Sequence, residues 1–344
     1  MKLINLSRAV PVLVVLLVVV SCSANASFSD SKTSSKGKTS TVKKSSASKT
    51  TAVTTSDAEY YLFAVLDELT SSYESAVSNY SKAISLMPTY ESYYTGRGYC
   101  YGQLKNYDSD IADQTKAIEL KPGDAMAYYY RGSAYNKKLD YSSALSDLNT
   151  AIELKPDYVN SYPERAYSHV FLKNYDQAIA DCNKALELDP KNGTAYQYRG
   201  YAYGDQGNYI QEVEDETTAL GYMPNAKWAY VARAQANYSL NQFDQTIADC
   251  NKTLELDPNN AMAYQYRGYA YGRQANYQQE VDDETTSIGI DSTAGWAYVA
   301  RAQAYYQLQQ YDNAWADVHK AQDLGITVYQ DLIDNLTNAT GSTK

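Results

Sequence analysis

Histidine occurs twice and cysteine four times in 344 residues, with no CxxC or HExxH spacing. The common zinc-site and thiol-redox arrangements are therefore missing. No Ser/His/Asp set, paired-carboxylate arrangement or phosphate-binding glycine loop is visible, so no enzyme, metal or cofactor is expected. The apolar run Ala9 to Val20 is 12 residues long. A bilayer-spanning helix takes about 20. Cations are scarce beyond the N-terminus: residues 57–344 hold 22 Lys/Arg against 39 Asp/Glu. Such a body repels phosphate backbones, which excludes nucleic acid as a partner and favours a basic one. Apolar residues still make up 44% of the chain, enough for a core, and tyrosine occurs 37 times.

Residues 1–56 differ from the rest, with eight Lys/Arg and one acid, Asp30. Lys2 and Arg8 precede the apolar run, which contains Pro11 and ends at Ser21-Cys22. That is the build of a signal peptide, residues 1–21. Val19-Val20-Ser21-Cys22 resembles the bacterial lipobox, which implies a lipid on Cys22 and an exported, membrane-anchored lipoprotein facing the periplasm or the cell surface. Ala24-Asn25-Ala26 offers a competing cleavage site and with it simple secretion. Residues 22–56 are rich in Ser, Thr and Lys and cannot bury enough apolar surface to offset ordering, so a disordered tether is expected there.

From residue 57 the chain repeats itself every 34 residues without a gap, with units starting at 57, 91, 125, 159, 193, 227, 261 and 295. Within a unit, position 4 is Tyr, position 8 is Gly or Ala and position 11 is usually Tyr, one face of an amphipathic helix. Positions 20, 24 and 27, such as Ala178, Cys182 and Ala185, mark a second helix. Asn106, Asp140, Asn174, Asn208 and Asn276 stand at position 16, where they are expected to cap that helix, Asn174 with Gln177 in a variant capping box. Pro88, Pro122, Pro156, Pro190, Pro224 and Pro258 at position 32 end it. A 68-residue period lies on top, residues 159–226 matching 227–294.

With these positions the sequence resembles the tetratricopeptide repeat (TPR) family over residues 57–328. The resemblance implies an all-α, right-handed superhelical solenoid of eight helix-turn-helix repeats whose first helices line a concave groove that binds other proteins. Residues 329–344 are expected to form a capping helix and tail. The cationic clamp of the family's chaperone-binding members is absent, since position 5 carries no cation in any unit.

Where the family prefers Leu at position 7, this chain has Arg97, Arg131, Arg165, Arg199, Arg233, Arg267 and Arg301; position 23 carries Asp113, Asp147, Asp181, Asp215, Asp249, Asp283 and Asp317. The first unit has Phe63 and Asn79 instead, so the two positions change together and structural ion pairs are expected. Spacing leaves open whether Arg199 pairs with Asp215 of its own unit or Asp181 of the preceding one. Glu212, Glu216, Glu280 and Glu284 face the partner helix, either bonded to position-7 arginines or opening to solvent; Glu212, Glu214, Asp215 and Glu216 form an alternative calcium site. Cys100, Cys182 and Cys250 are expected to be buried free thiols.

Tyr99, Tyr129, Tyr167, Tyr201, Tyr238, Tyr269 and Tyr306 fall on first helices at positions expected to line the groove. Tyrosine supplies amphipathic contact area at low entropic cost. The expected function is a non-catalytic, membrane-tethered scaffold that holds an uncharged or basic protein or peptide in this groove. A secreted binder of glycan or peptidoglycan strands and a calcium-dependent structural element are the alternatives.

Overall fold

A computed structural model describes residues 55–341. The expected signal peptide, Cys22 and nearly all of the tether lie outside the described residues. Among the described residues there are seventeen α-helices and no strand, in two compact units divided between Asn106 and Tyr107.

The first unit contains α1 (Asp57–Leu69), α2 (Tyr73–Leu86) and α3 (Glu91–Gln103). Ser56 and Glu59 form a capping box at its start, Ser56 Oγ accepting from the Glu59 amide at 3.2 Å and Glu59 Oε2 from the Ser56 amide at 2.8 Å. Tyr80 fills the space left by Gly96, where a β-carbon would lie 2.3 Å from its ring.

The second unit begins with α4 (Tyr107–Leu120) and continues as helical hairpins. These are α5 (Ala125–Lys137) with α6 (Tyr141–Leu154), α7 (Ser161–Phe171) with α8 (Tyr175–Leu188), and α9 (Gly193–Asp205) with α10 (Tyr209–Tyr222). Then come α11 (Lys227–Ser239) with α12 (Phe243–Leu256), α13 (Ala261–Arg273) with α14 (Tyr277–Ile290), and α15 (Gly295–Gln307) with α16 (Tyr311–Asp323). The closing helix is α17 (Gln330–Thr340). Each helix packs on the next, and the first helices α5, α7, α9, α11, α13 and α15 also touch in sequence, which aligns them on one face. Small buried residues permit the close approach: Ala178, Ala185, Ala195 and Ala202 have no exposed surface. α17 and the residue leading into it cover the last hairpin, through Leu332 and Leu336 of the helix and Val328 before it, packed with Trp315 and Val318.

Between the two helices of every hairpin one residue takes a left-handed conformation. It is Ser71, Leu139, Lys173, Asn241, Ala275 or Gln309 with φ between 59° and 64°, and Gly207 with φ 80°. Backbone bonds closing the turn hold it there, such as Asn174 N–H to His169 O at 2.8 Å. Side-chain capping at position 16 is partial: Asp140 accepts from the Ser143 amide and Asn208 from that of Gln211, whereas Asn174 and Asn276 make no capping bond. The capping box expected from Asn174 and Gln177 is thus absent.

The arginines at position 7 run a ladder through the second unit. Arg199 donates from Nε and Nη2 to both carboxylate oxygens of Asp215, at 2.8 and 2.7 Å, and from Nη1 to Asn183 Oδ1 on the preceding hairpin at 2.6 Å. Its guanidinium lies 5.3 Å from the centre of the Tyr196 ring. Arg131, Arg165, Arg233, Arg267 and Arg301 repeat this arrangement with Asp147, Asp181, Asp249, Asp283 and Asp317. Each pairing partner lies in the arginine's own repeat. In the first unit Arg97 donates to Ser81 Oγ at 3.0 Å and stacks on Tyr94; Asp113 is buried on α4 of the second unit.

A bidentate pair with a nearly buried carboxylate loses most when one member is removed, about 3 kcal/mol. Arg199→Leu should therefore be more destabilising in urea unfolding than Arg199→Leu with Asp215→Leu. Strictly additive losses for these two would refute the coupling, while Arg199→Leu with Asp181→Leu should add.

Candidate functional site

On the face formed by first helices, the C-terminal part of the second unit opens into a cleft of about 880 Å³. Successive repeats bring Tyr238 on α11, Tyr266 and Tyr269 on α13, and Trp296 and Tyr306 on α15 to its walls, and α17 closes one side with Tyr329. The rings form a connected set: Tyr238 lies 6.3 Å from Tyr266 and 6.0 Å from Tyr269, which meet edge to face at 6.0 Å. Trp296 and Tyr329 are 5.8 Å apart, and both are about half exposed, at 46% and 54%. Gln265, Gln303, Gln307 and Asn335 supply amide donors and acceptors between the rings. Large aromatic faces with interspersed amides suit an extended chain whose backbone must be hydrogen-bonded as its side chains are covered.

Three charged groups line the cleft. Arg273 packs over Phe243 at 5.5 Å, and burial raises the Tyr238 phenol against the pull of this guanidinium. Asp331 is exposed on α17. Glu280 is 6% exposed and lies against Gly272, where a β-carbon would meet Glu280 Oε2 at 2.3 Å. Only glycine leaves room for that carboxyl, and burial pushes its pKa up to about 8.

Of the seven tyrosines singled out from sequence, Tyr238, Tyr269 and Tyr306 line the cleft. Tyr201 is exposed further along the same face, at 44%. Tyr167 packs between hairpins on Phe171 and Tyr198, at 4.6 and 5.4 Å, and Tyr129 on Tyr130 and Tyr158 at 5.2 and 4.9 Å. Tyr99 lies in the first unit, edge-on to Tyr73 at 6.3 Å. Sequence reasoning did not place Trp296, Tyr329 or Glu280 at the groove. An exposed Trp at position 2 of a repeat was a readable signal; the contribution of α17 was not, because it lies outside the repeat register.

The acids of the two atypical repeats differ from expectation. Glu216 and Glu284 have no exposed surface, and neither carboxyl oxygen of either residue has a hydrogen-bond partner. They neither bond the ladder arginines nor open to solvent, because Arg199, Arg233, Arg267 and Arg301 are already held by Asp215, Asp249, Asp283 and Asp317. Glu216 packs against Gly200, and Glu284 against Gly268, whose β-carbon would lie 2.7 Å from Glu284 Oε1. Among the described residues no group of three His, Cys, Asp or Glu could hold a metal ion, which removes the support for a calcium site. Cys100, Cys182 and Cys250 are buried thiols.

Burial raises Glu216 and Glu284 well above the ordinary 4.5, and neighbouring carboxylates, Glu212 and Asp215 or Glu280 and Asp283, add to it against Arg233 or Arg301. Glu212 rises to about 8, mainly by burial and then through Asp205. These groups bind protons more tightly folded than unfolded. For Glu212 and Glu280 the stabilising contribution is therefore complete below the ordinary 4.5 and is lost as pH rises toward the folded value near 8, and for Glu216 and Glu284 it is lost in the same direction. The thermal midpoint should fall between pH 5 and pH 8.5, and Glu216→Gln with Glu284→Gln should flatten that fall and stabilise by at least about 1 kcal/mol at the upper pH. A wild-type midpoint that is higher at pH 8.5 would contradict this.

Models of the tetratricopeptide repeat match residues 91–124, 164–192, 182–214, 229–260 and 250–282. Among solved structures, a tetratricopeptide repeat protein from Parabacteroides merdae shares 18% identity, with a TM-score of 0.55 over 72% of this chain and 98% of its own. The Cut9–Hcn1 structure of the APC/C shares 14%, with a TM-score of 0.61 over 78% of this chain and 52% of that one. At such identities the likeness concerns the fold. No curated protein sequence matches this one.

Proposed function

Taking as premise that this chain is a tetratricopeptide repeat protein, and so carries a protein–protein interaction scaffold, we propose that it holds an extended, uncharged or basic segment of a partner protein in the cleft between α11 and α17. Proteins of this family are generally non-catalytic. The observation that carries the reading is the aromatic wall of the cleft, the half-exposed Trp296 and Tyr329 beside the cluster of Tyr238, Tyr266 and Tyr269, interleaved with glutamines on the face that first helices share. Charge supports the basic preference: the exposed Asp331 lines the cleft, the one arginine there is engaged with Phe243 and Tyr238, and residues 57–344 carry an excess of acids.

Aromatic anchors at interface centres commonly cost about 2 kcal/mol or more on truncation, roughly thirtyfold in affinity. Trp296→Ala with Tyr269→Ala should abolish partner capture while helix content by circular dichroism stays unchanged. Capture that survives this change, but is lost on reversing the exposed acids Glu214 and Asp282, would put the partner on the outer face instead. Binding of a neutral oligosaccharide such as chitotetraose, with no binding of basic peptide, would favour the glycan reading.

We further propose that Cys22 carries a lipid and anchors the protein at a bacterial membrane. No helix among the described residues is long and apolar enough to cross a membrane. One acyl chain binds only marginally, whereas two or three hold firmly. Cys22→Ala should move the protein from the membrane to the soluble fraction; continued sedimentation with membranes would refute the anchor.

A further inference from the structure

The cleft has a counterpart 68 residues upstream. Gln265, Tyr266 and Tyr269 correspond to Gln197, Tyr198 and Tyr201; Gly272, Glu280 and Trp296 correspond to Gly204, Glu212 and Trp228; Gln303 and Tyr306 correspond to Gln235 and Tyr238. Duplication alone would explain the sequence likeness, but the geometry is kept as well. A β-carbon at Gly204 would lie 2.3 Å from Glu212 Oε2, the same distance found between Gly272 and Glu280. Glu212 is 5% exposed, Trp228 61% and Tyr201 44%, so the carboxyl is seated and the rings face outward.

Two differences set the upstream set apart. Ala261 stands where the cleft has Tyr329, so Trp228 has no ring partner of that kind and is more exposed than Trp296 at 46%. Asp205 stands where the cleft has Arg273, which removes the cleft's one cation and leaves two carboxyl groups, Asp205 and Glu212. The two sets share Tyr238: it completes the upstream one and lies 6.0 Å from Tyr269 in the downstream one. α9, α11, α13 and α15 pack in succession, so both sets occupy one continuous face.

We propose that the upstream set around Trp228, Tyr201 and Glu212 is a second binding site of the same kind as the cleft, and that the two together take successive lysine or arginine side chains of one extended polypeptide segment. This rests on the reading of the cleft as a peptide site. A cationic side chain laid over Trp228 gains attraction from the ring face, and its charge meets the exposed Asp205. Joining two such contacts in one ligand makes the second intramolecular, so affinity rises without any new type of contact.

The probes are capped Gly/Ser peptides carrying one lysine or two, the latter with spacers of increasing length, titrated by calorimetry against the full chain and followed by tryptophan fluorescence. At the best spacing the two-lysine peptide should bind roughly a hundredfold tighter than the one-lysine peptide. Trp228→Ala and Trp296→Ala, each checked for unchanged helix content, should each return it to the one-lysine affinity. In a Trp296→Phe background, two-lysine peptide should still perturb Trp228 emission, because Trp315 is buried at 4% exposure. If Trp296→Ala weakens the two-lysine peptide and Trp228→Ala does not, the second site falls while the cleft reading stands. If neither peptide binds at any spacing, both fall.

Discussion

The second unit depends on one repeated interaction, the arginine that reaches in three directions at once. Its fork grips an aspartate on the second helix of its own hairpin, its remaining amine reaches the hairpin before, and its flat face rests on a tyrosine one turn earlier in its own helix. Such a contact sets both the angle within a hairpin and the register between hairpins. The small residues at the helix crossings can then stay small: alanines and glycines give close approach but little directional preference, and the directional part is supplied by the guanidinium. A buried ion pair adds specificity more surely than stability, which suits a stack whose hairpins are otherwise nearly interchangeable.

With the arginines occupied by their aspartates, the extra acids of the two atypical repeats have no partner. Glu216 and Glu284 remain in the crossing between helices, accommodated because Gly200 and Gly268 leave the space. A carboxyl in such a place stays folded most comfortably as the neutral acid, so proton binding and packing are coupled there. One turn earlier on the same helices, Glu212 and Glu280 are seated against Gly204 and Gly272 in the same manner, and there the carboxyl borders the aromatic face. The two atypical repeats thus carry one acid in the helix crossing and a second, one turn earlier, beside the aromatic face.

The 34-residue period, the two helices per repeat, the prolines that end them and the pairing of position 7 with position 23 were all legible from spacing alone, because repetition multiplies a weak local signal until it is unambiguous. The exposed rings were only partly legible. Tyr201 and Tyr269 share position 9 with Tyr167, yet Tyr201 is exposed, whereas Tyr167 packs on Phe171 and Tyr198 and Tyr269 on Tyr238 and Tyr266. Which tyrosine faces outward depends on what the adjacent hairpin offers it. The acids were misread for a related reason: spacing placed them toward the partner helix, but not the fact that every nearby arginine was already engaged.

The sequence by itself determined that this chain is a stack of helical hairpins with an acidic body, since periodicity, small crossing residues and charge are properties of the string. Only the tertiary structure decided that Arg199 pairs within its repeat, that Glu216 is buried without a partner, and that α17 brings Tyr329 to Trp296 to wall one cleft. The reason is physical: a helical repeat specifies which residues share a face, whereas the distance between faces of different hairpins depends on the summed geometry of every crossing between them.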